Sequence, residues 1–391
     1  MKKVVLTTSL LAIAAAAQAQ SSVTLYGRID NGVQYETGLP GGHQWAAESG
    51  DWGCSWFGLQ GAEDIGGGTQ IIFQLEGQLN TTNGQLAGAL FGRHATVGAT
   101  NVNYGTFKLG NLGAGEISQD SWGVDPQLMQ RYAISTLVRG RNWASAANGF
   151  EYTSPNFFGL TAKGQYDLTN NYNWNTAGTG AGSGSSASSA QGRTDGFELV
   201  YDLGPLELRG IYDEVRSANG TFDNVYAHSR SALGGGTYTL GPVKLYAGYQ
   251  HLNAPQATAA SVGVGAVGGS NANPNGVGIP TSVDHEWFGA AWQATPAAAL
   301  TAAVFHANAN NGNGNATMYT LAGTYNLSKR TFLYSEIGYL HNSSTSNVNL
   351  GDGSYGNNTG TAANGTTEFV NGNPNYGHSQ TGVFAGIMTA F

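Results

Sequence analysis

The stretch that decides the fold is residues 22–33, which read SVTLYGRIDNGV. Its apolar residues share one parity and its polar residues share the other, and this period of two is that of a β-strand. The polar face carries two ionisable side chains, Arg28 and Asp30. In a soluble sandwich that face would lie in bulk water, whereas in a membrane barrel it would line the lumen. The choice between the two depends on the rest of the chain.

The first twenty residues, MKKVVLTTSLLAIAAAAQAQ, have the pattern of an export signal. Two lysines precede an apolar stretch, and the small residues Ala17 and Ala19 fit cleavage after Ala19. The stretch is short for a membrane span, and no stop-transfer pattern follows it. The sequence therefore predicts a signal peptide, residues 1–19, followed by one exported domain, residues 20–391.

The composition of the exported part fits strands joined by polar turns. The chain has 60 glycines and only 10% charged residues, yet 11% of its residues are aromatic, which argues against disorder. No apolar run after Ala19 is long enough for a membrane helix, so a membrane form would have to be a closed barrel. A formal net charge of −8 without a basic stripe argues against nucleic acid as a partner. The single cysteine, Cys54, leaves no internal disulfide.

Strand-like segments recur along the chain, and the connections between them alternate in length. Short connections such as DLGP (202–205) alternate with long ones rich in Gly, Asn, Ser and Ala, such as 253–282. This asymmetry is typical of outer-membrane barrels, which have short periplasmic turns and long external loops. An even number of strands lets the first and last strands pair and remove the open edge. The sixteen predicted strands are 22–36, 54–64, 69–79, 92–100, 105–112, 148–155, 159–168, 194–202, 205–215, 229–240, 243–252, 283–294, 298–307, 316–327, 331–341 and 378–391.

The polar parity of these strands has to face inward. An Arg or Lys on the lipid face would cost roughly 2–4 kcal/mol at the bilayer midplane. Arg28 and Asp30 are therefore predicted to line a water-filled lumen. A soluble sandwich stays the alternative here, although many long loops would be hard to fit to it. The same reasoning predicts further lumen-facing residues, which are Trp56, Gln60, Lys108, Lys163, Asp167 and Arg209.

Four segments resemble the trimeric porins of β-proteobacterial outer membranes. They are SSVTLYGRIDNGV (21–33), SWFGLQGAEDIGGGTQIIFQLEGQLN (55–80), LFGRHATVGATNVNYGTFKLGN (90–111) and FEYTSPNFFGLTAKGQYDL (150–168). The resemblance covers the whole exported part and is strongest in its first half. It implies a homotrimer of all-β, 16-stranded antiparallel transmembrane barrels, each with its third external loop folded into the lumen. The implied function is passive diffusion of ions and small hydrophilic solutes across the outer membrane, without a cofactor or metal.

The resemblance also implies partners for assembly. A terminal aromatic residue is read in this family by the barrel-assembly machinery, and Phe391 would be that residue here. Location in the outer membrane implies contact with its lipid and lipopolysaccharide.

Porins of this family constrict the lumen between loop carboxylates and a basic cluster on the opposite wall. The third long connection here runs from Gly113 to about Asn148. Its implied pore-facing carboxylates are Glu116, Asp120 and Asp125. The residues that match the family's basic motifs are Arg28, Arg93 and Arg141. Alternation alone would put Arg93 on the apolar side of its strand, so only the family match turns it inward.

The sequence departs from the family at three positions of the positive wall. Family members commonly have a basic residue where this chain has Trp56, Gln60 and Asn111. The basic wall is therefore thinner, and we expect weak ion selectivity that is near neutral or mildly cation-preferring.

Two other functions remain open at this point. A barrel that serves mainly as an adhesin or structural protein would have the same strands but would not conduct. A membrane-embedded hydrolase would need a nucleophile, a histidine and an orienting group in contact, and no G-x-S-x-G or H-E-x-x-H motif occurs. The pair His285 and Glu286 lacks the second histidine that a zinc site needs.

Overall fold

The computed structural model describes residues 22–39, 41–128, 130–146, 148–167, 192–217, 219–258, 278–352, 374 and 376–391. The predicted signal peptide lies outside the described residues. No helix in these described ranges has the length and apolarity that a helix needs to cross a membrane.

The described chain forms one antiparallel sheet that closes on itself. The strands are β1 (Ser22–Leu39), β2 (Gly42–Glu48), β3 (Ser55–Gly66), β4 (Thr69–Leu79), β5 (His94–Asn101), β6 (Gly105–Asn111), β7 (Gly149–Thr153), β8 (Leu160–Asp167), β9 (Thr194–Leu203), β10 (Leu206–Val215), β11 (Arg230–Leu240), β12 (Val243–Asn253), β13 (Ser282–Gln293), β14 (Ala298–Ala309), β15 (Asn315–Asn326), β16 (Thr331–Asn342) and β17 (Gln380–Ala390). Pairing of β1 with β17, from Arg28 opposite Ala390 to Thr37 opposite Thr381, closes the barrel.

Seventeen strands occupy sixteen positions because one position is broken. β2 pairs with the C-terminal part of β1, where Gly32 lies opposite Glu48. β3 pairs with the N-terminal part of β1, where Arg28 lies opposite Trp56. The predicted barrel of sixteen antiparallel strands is thereby confirmed. β2 lies inside a predicted loop and was not predicted, because Trp45 and Ala47 are its only outward apolar residues.

The two faces of the strands differ as the alternation predicts. In β1, Val23 and Leu25 are 62% and 60% exposed on the outside, whereas Asp30 is 0% exposed on the inside. In β15, the outward Leu321 is exposed and the inward Thr320 is buried. An apolar outer face and a polar inner face on a closed sheet exclude the soluble sandwich, whose apolar face would form the core between two sheets.

The buried apolar core lies inside the barrel, between the wall and a long loop. Residues 113–148, here called the lumen loop, include a 3₁₀ turn, Ile117–Val124. Ile117, Val124 and Tyr132 are each 0% exposed and belong to one cluster with inward side chains of the strands. The loop therefore fills part of the lumen, as the family resemblance implies.

Candidate pore constriction

The lumen loop rests on inward-facing glycines of the wall, here called the loop seat, which are Gly196, Gly235, Gly289, Gly338 and Gly382. A Cβ at Gly338 would lie 2.8 Å from Tyr132 Cδ2, and one at Gly289 would lie 2.5 Å from Pro126 Cβ. Each glycine thus leaves the space that a loop side chain occupies. The seat extends from β9 to β17, so the loop lies along that half of the wall.

Two hydrogen bonds fix the loop along this seat. The indole nitrogen of Trp287 in β13 donates to the carbonyl oxygen of Val124 at 2.8 Å. The side-chain amide of Gln34 in β1 donates to the hydroxyl of Tyr132 at 2.8 Å. All four residues are buried. Because a buried polar group left without a partner is costly, these bonds hold the loop in one position.

The break between β2 and β3 supplies a third attachment. Residues 49–54, here called the inward segment, leave the wall and place Asp51 next to Arg131 of the lumen loop. The Arg131 Nη1 lies 3.4 Å from Asp51 Oδ1 and 3.7 Å from Glu48 Oε2. Burial opposes the charge of Arg131, but Glu48 and Asp51 raise its pKa above the ordinary value. The cation is therefore held firmly in its charged state.

The inward segment is also tied to the wall beneath it. The Trp52 ring packs edge-on against Phe332 of β16, with 4.9 Å between ring centroids. The backbone N–H of Gly53 donates to Asp30 Oδ2 at 2.9 Å, and the Tyr334 hydroxyl donates to the other oxygen of Asp30. Asp30, predicted to line the open lumen, instead binds the inward segment and is fully buried.

Two of the three predicted pore carboxylates are not at the pore surface. Glu116 is 0% exposed and caps the 3₁₀ turn by accepting the Ser118 N–H at 2.9 Å. Burial, together with nearby Asp213, raises the pKa of Glu116 to about 8, so it is mostly uncharged at neutral pH. Asp125 is also 0% exposed and accepts backbone N–H groups of Gln127 and Ile134. The expectation that these two line the pore is wrong, because both serve as caps inside the loop.

Asp120 is the loop carboxylate that still meets the lumen. Its side chain is 24% exposed and forms an ion pair with Lys163 of β8. Two apolar loop residues, Trp122 and Leu128, are 53% and 42% exposed. Near Asp120, the loop therefore offers to water a paired carboxylate and the apolar side chains of Trp122 and Leu128.

Arg141 also lies elsewhere than the family match implies. It is on the returning limb of the lumen loop and is 2% exposed. Its guanidinium binds Asp213 of β10, and its Nε donates to Ser229 Oγ at 2.8 Å. The prediction that Arg141 belongs to the basic cluster of the opposite wall is therefore wrong. Arg141 anchors the lumen loop to β10, because the buried Asp213 requires a cation.

Arg28 and Arg93 converge on one aromatic ring. Their guanidinium carbons lie 5.9 and 5.7 Å from the centroid of the Trp56 ring, within the range of cation–π attraction. Arg28 Nε donates to the carbonyl oxygen of Cys54 at 2.8 Å, and Arg93 Nη1 donates to its Sγ at 2.9 Å. We call Arg28, Trp56 and Arg93 the arginine–tryptophan cluster.

Arg93 joins this cluster because strand alternation does not apply to it. β5 begins one residue later, at His94, so Arg93 is not bound by the parity of that strand. Its Nε lies 3.3 Å from Glu76 Oε2 on the inner face of β4. The predicted strand 92–100 begins too early, and for that reason alternation placed Arg93 on the outer face.

Most lumen cations are paired with carboxylates. The ion pairs of the inner wall are Arg93 with Glu76, Lys108 with Glu151, Lys163 with Asp120 and Glu198, and Arg209 with Glu198 and Glu207. Two inward cations, Arg28 and Lys244, form no ion pair within 4.0 Å to any described residue. Lys244 Nζ instead lies 5.1 Å from the ring centroid of Tyr246. These pairs leave little uncompensated charge along the wall.

Three further predicted residues have distinct places. Gln60 lines a cavity of about 290 Å³ in the inner wall together with Gln74, Thr96 and Lys108. Asp167, at the end of β8, is 0% exposed, so it does not meet lumen water as predicted. Phe391 follows β17, and it exchanges two backbone hydrogen bonds with Gly27 of β1.

Neither the inward segment nor its contact with Arg131 was predicted from the sequence. The only local signal is the run SGDWGC, residues 49–54, in which two glycines flank Asp51 and Trp52. Within the described ranges, no three His, Cys, Asp or Glu side chains group as a metal site would require.

Comparison with known proteins decides the family. The model of the Gram-negative porin family matches residues 6–345. The chain belongs to this family. It is 29% identical to outer membrane porin protein 32 of Delftia acidovorans over 405 residues, with both chains fully covered. It is 30% identical to an outer membrane porin protein of Bordetella pertussis over 392 residues, which cover 88% of this chain and 95% of the relative.

Solved structures agree on the fold. The anion-selective porin from Comamonas acidovorans has a TM-score of 0.70 at 24% identity, covering 95% of this chain and 100% of that one. OmpF of Salmonella typhi, in complex with daunomycin, has a TM-score of 0.61 at 15% identity, covering 96% and 99%. The protein is an outer-membrane porin, a water-filled channel for passive diffusion of ions and small hydrophilic solutes.

Proposed function

We propose that the narrowest part of this pore lies between the lumen loop at Asp120 and the arginine–tryptophan cluster. The loop rests on the half of the wall from β9 to β17, so the water path follows the other half. Arg28, Trp56 and Arg93 lie on that half, on β1, on β3 and just before β5. This position of the loop is the observation that carries the proposal.

The pairing of charges supports weak ion selectivity. Four of the six wall cations named above, Arg93, Lys108, Lys163 and Arg209, have carboxylate partners within 4.0 Å. Opposite charges that close together largely cancel at the distance of a passing ion. Glu116 adds little negative charge because it is mostly protonated at neutral pH. The channel therefore admits cations and anions with similar ease, and size is its main filter.

The porin acts without catalysis, and it assembles as a homotrimer. The outer face of β3–β5 suits contact between copies, because Leu59, Leu75 and Val97 point outward without a Tyr or Trp girdle. The segment after β4 lies beside this face: it contacts β1, where Asn31 Nδ2 donates to Thr81 Oγ1 at 2.8 Å, and it returns to β4, where the Gln78 carbonyl accepts the Ala87 N–H at 2.9 Å.

Single-channel recording in a planar bilayer tests the proposal. Purified trimers should give ohmic steps and a reversal potential near zero in a KCl gradient, and liposomes that contain them should swell in small neutral sugars. The matched control is the same preparation unfolded by heat, which should give neither. Folded trimers without conductance would favour the adhesin function instead, and a reversal potential close to the Nernst value would contradict weak selectivity.

A further inference from the structure

A row of uncharged polar side chains crosses the inner wall below the arginine–tryptophan cluster. The strand register places Thr24 of β1 opposite Gln60 of β3, and Gln60 opposite Gln74 of β4. Gln74 in turn lies opposite Thr96 of β5. We call these four residues the neutral row. Residues opposite one another share a face of the sheet, so the whole row faces the lumen, as Arg28 does four residues further along β1.

The neutral row lies on the periplasmic side of the cluster. β3 ends at Gly66 and β4 begins at Thr69, so the rim nearest the row has short turns. Short turns are periplasmic in outer-membrane barrels. Between Arg28 and Thr24, β1 extends about 13 Å toward this rim. A solute that has passed the cluster therefore meets the row before it leaves the pore.

The row borders the cavity of about 290 Å³ in the inner wall. The next row toward the periplasm forms an apolar side of this cavity, where Ala62 lies opposite Ile72. The cavity thus has one polar side and one apolar side. Pockets for drug-sized ligands measure about 300–1,000 Å³, so this cavity suits a smaller solute.

Several polar groups of the row are available to a ligand. In the part of the chain that the structure describes, no group forms a hydrogen bond with the Gln60 amide or with the hydroxyls of Thr24 and Thr96. Thr96 lines the cavity although only 7% of its surface is exposed. A buried hydroxyl without a partner is costly, so a hydrogen-bonding molecule in the cavity would stabilise it.

Gln74 adds an acceptor to the cavity. Its Nε2 donates to the Tyr26 hydroxyl at 2.9 Å and to Glu76 Oε1 at 2.8 Å. Both N–H groups of this amide are then in use, and its carbonyl oxygen is left to accept a hydrogen bond. The row therefore offers both donors and acceptors, and none of them is charged.

The ionisable groups around the cavity compensate one another. Lys108 lines the cavity, and its Nζ lies 3.3 Å from Glu151 Oε1. Glu76 accepts the Tyr26 hydroxyl at 2.7 Å, and its other oxygen lies 3.3 Å from Arg93 Nε. Opposite charges this close largely cancel at the distance of a solute. The cavity therefore has no net charge that would favour an ion over a neutral solute.

We propose that this cavity is a weak binding site for a neutral sugar with a single ring. Two adjacent hydroxyls of a sugar can bind one Gln amide, because one hydroxyl accepts from its N–H while the other donates to its oxygen. Gln60 has both groups available. The C–H face of the ring would lie on Ile72, and burial of this apolar surface favours binding.

The site names one solute class for the proposed porin function, and it rests on that function. It is independent of where the constriction lies. Conduction requires that a solute binds well enough to enter a site and weakly enough to leave it. A bound sugar obstructs part of the ion current, so the KCl current should fall along a saturating curve as sugar is added. Without a site, the current would fall in proportion to the sugar concentration.

Single-channel recording of intact trimers tests this, with glucose as the probe on both sides of the bilayer. Wild type should show a saturating reduction of the KCl current. Gln60→Leu and Thr96→Val should each raise the half-saturating glucose concentration roughly threefold to tenfold, the effect of one neutral hydrogen bond. Thr301→Val is the matched control, because it removes a hydroxyl from the inner face of β14, outside the cavity. It should give the curve of wild type.

Charged sugars with the same ring separate the site from the general properties of the pore. Glucuronate has a carboxylate and glucosamine has an ammonium group, and both should require higher concentrations than glucose for the same effect on wild type. Gln60→Lys places a cation in the cavity, so this variant should respond to glucuronate at a lower concentration than to glucose.

The outcomes distinguish the sugar site from the pore itself. A current that falls in proportion to glucose, or cavity variants with the curve of wild type, would overturn the site while the porin function stands. Equal responses to glucose and to both charged sugars would also overturn it. KCl steps without sugar show that each variant is folded. Wild-type trimers without such steps would contradict the proposed function, and this inference with it.

Discussion

Arg131 of the lumen loop and Asp51 of the inward segment meet through two contacts. The Arg131 side chain lies 3.4 Å from the Asp51 carboxylate, and the Arg131 backbone N–H donates to the Asp51 carbonyl at 3.1 Å. Both residues are buried. The width of the pore therefore depends on this joint, the contact between the lumen loop and the inward segment.

Loss of this joint should disturb the current. Arg131→Met leaves Asp51 and Glu48 buried without their cation, and breaking a buried pair costs about 3–5 kcal/mol. The seated loop borders the open lumen, so a loosened loop would enter the water path, and we expect lower mean conductance with flickering. Single-channel recording measures this, with Arg330→Met in an exposed turn as the control. A quiet current of wild-type size would contradict the role of the joint.

The loop seat predicts an effect from a single methyl group. Gly382→Ala would place Cβ over the Tyr132 hydroxyl, and overpacking costs about 1–3 kcal/mol. We expect greater open-channel noise and faster cleavage of the lumen loop by added protease. Gly234→Ala is the matched control, because nothing lies within 4 Å of a Cβ there. If both variants behave alike, the glycine at residue 382 is not a seat for the loop.

Selectivity should respond to charges at the arginine–tryptophan cluster. Charges within about 8–10 Å dominate the potential that an ion feels at physiological salt. Arg28→Gln should shift the reversal potential in a KCl gradient toward cations, and Trp56→Arg should shift it toward anions. Arg330→Gln should leave it unchanged. Absence of opposite shifts from the two cluster variants would place the constriction elsewhere.

The buried carboxyl of Glu116 predicts a pH dependence of stability. Burial raises the pKa of Glu116 to about 8, above its value of about 4.5 in the unfolded chain. The folded state then binds more protons between these values, so the free energy of unfolding falls as pH rises from about 4.5 to 8, by up to about 1.4 kcal/mol per pH unit. Glu116→Gln should remove this part of the dependence. Thermal unfolding from pH 5 to 9 measures it, and parallel curves for both proteins would contradict it.

Phe391 should matter for insertion more than for export. Its two backbone hydrogen bonds with Gly27 extend the closure of the barrel. Deletion of Phe391 should lower the amount of trimer in the outer membrane and leave the amount exported to the periplasm unchanged. Cell fractionation with heat-modifiability gels measures both. Normal amounts of heat-modifiable trimer would argue against an assembly role.

The barrel could be predicted from the sequence because lipid and water act on every strand. In β15 the outward Leu321 faces lipid and the inward Thr320 faces the barrel interior. The alternation of apolar and polar residues shows this difference in the local sequence. β2 was missed because it is short and carries only Trp45 and Ala47 as outward apolar residues. The missed strand is therefore one in which the contrast between the two faces was weak.

The site was less predictable because a loop has no such periodicity. Whether Asp125 meets water or backbone N–H groups depends on Ile134, nine residues away, and the partner of Arg141 is Asp213, 72 residues away. Such contacts leave no trace in local spacing. The family match placed Arg28 correctly on the inner wall. It did not predict that Arg141 binds Asp213 of β10 instead of facing the pore.

The loop seat has a consequence for how permeability can vary in nature. Gly338 and Gly382 lie on β16 and β17, beneath the loop, and both are buried. A substitution there can narrow the channel while every solute-facing residue stays the same. Clinical or environmental isolates with altered uptake can therefore carry their causative change in a region that a survey of the pore lining would pass over.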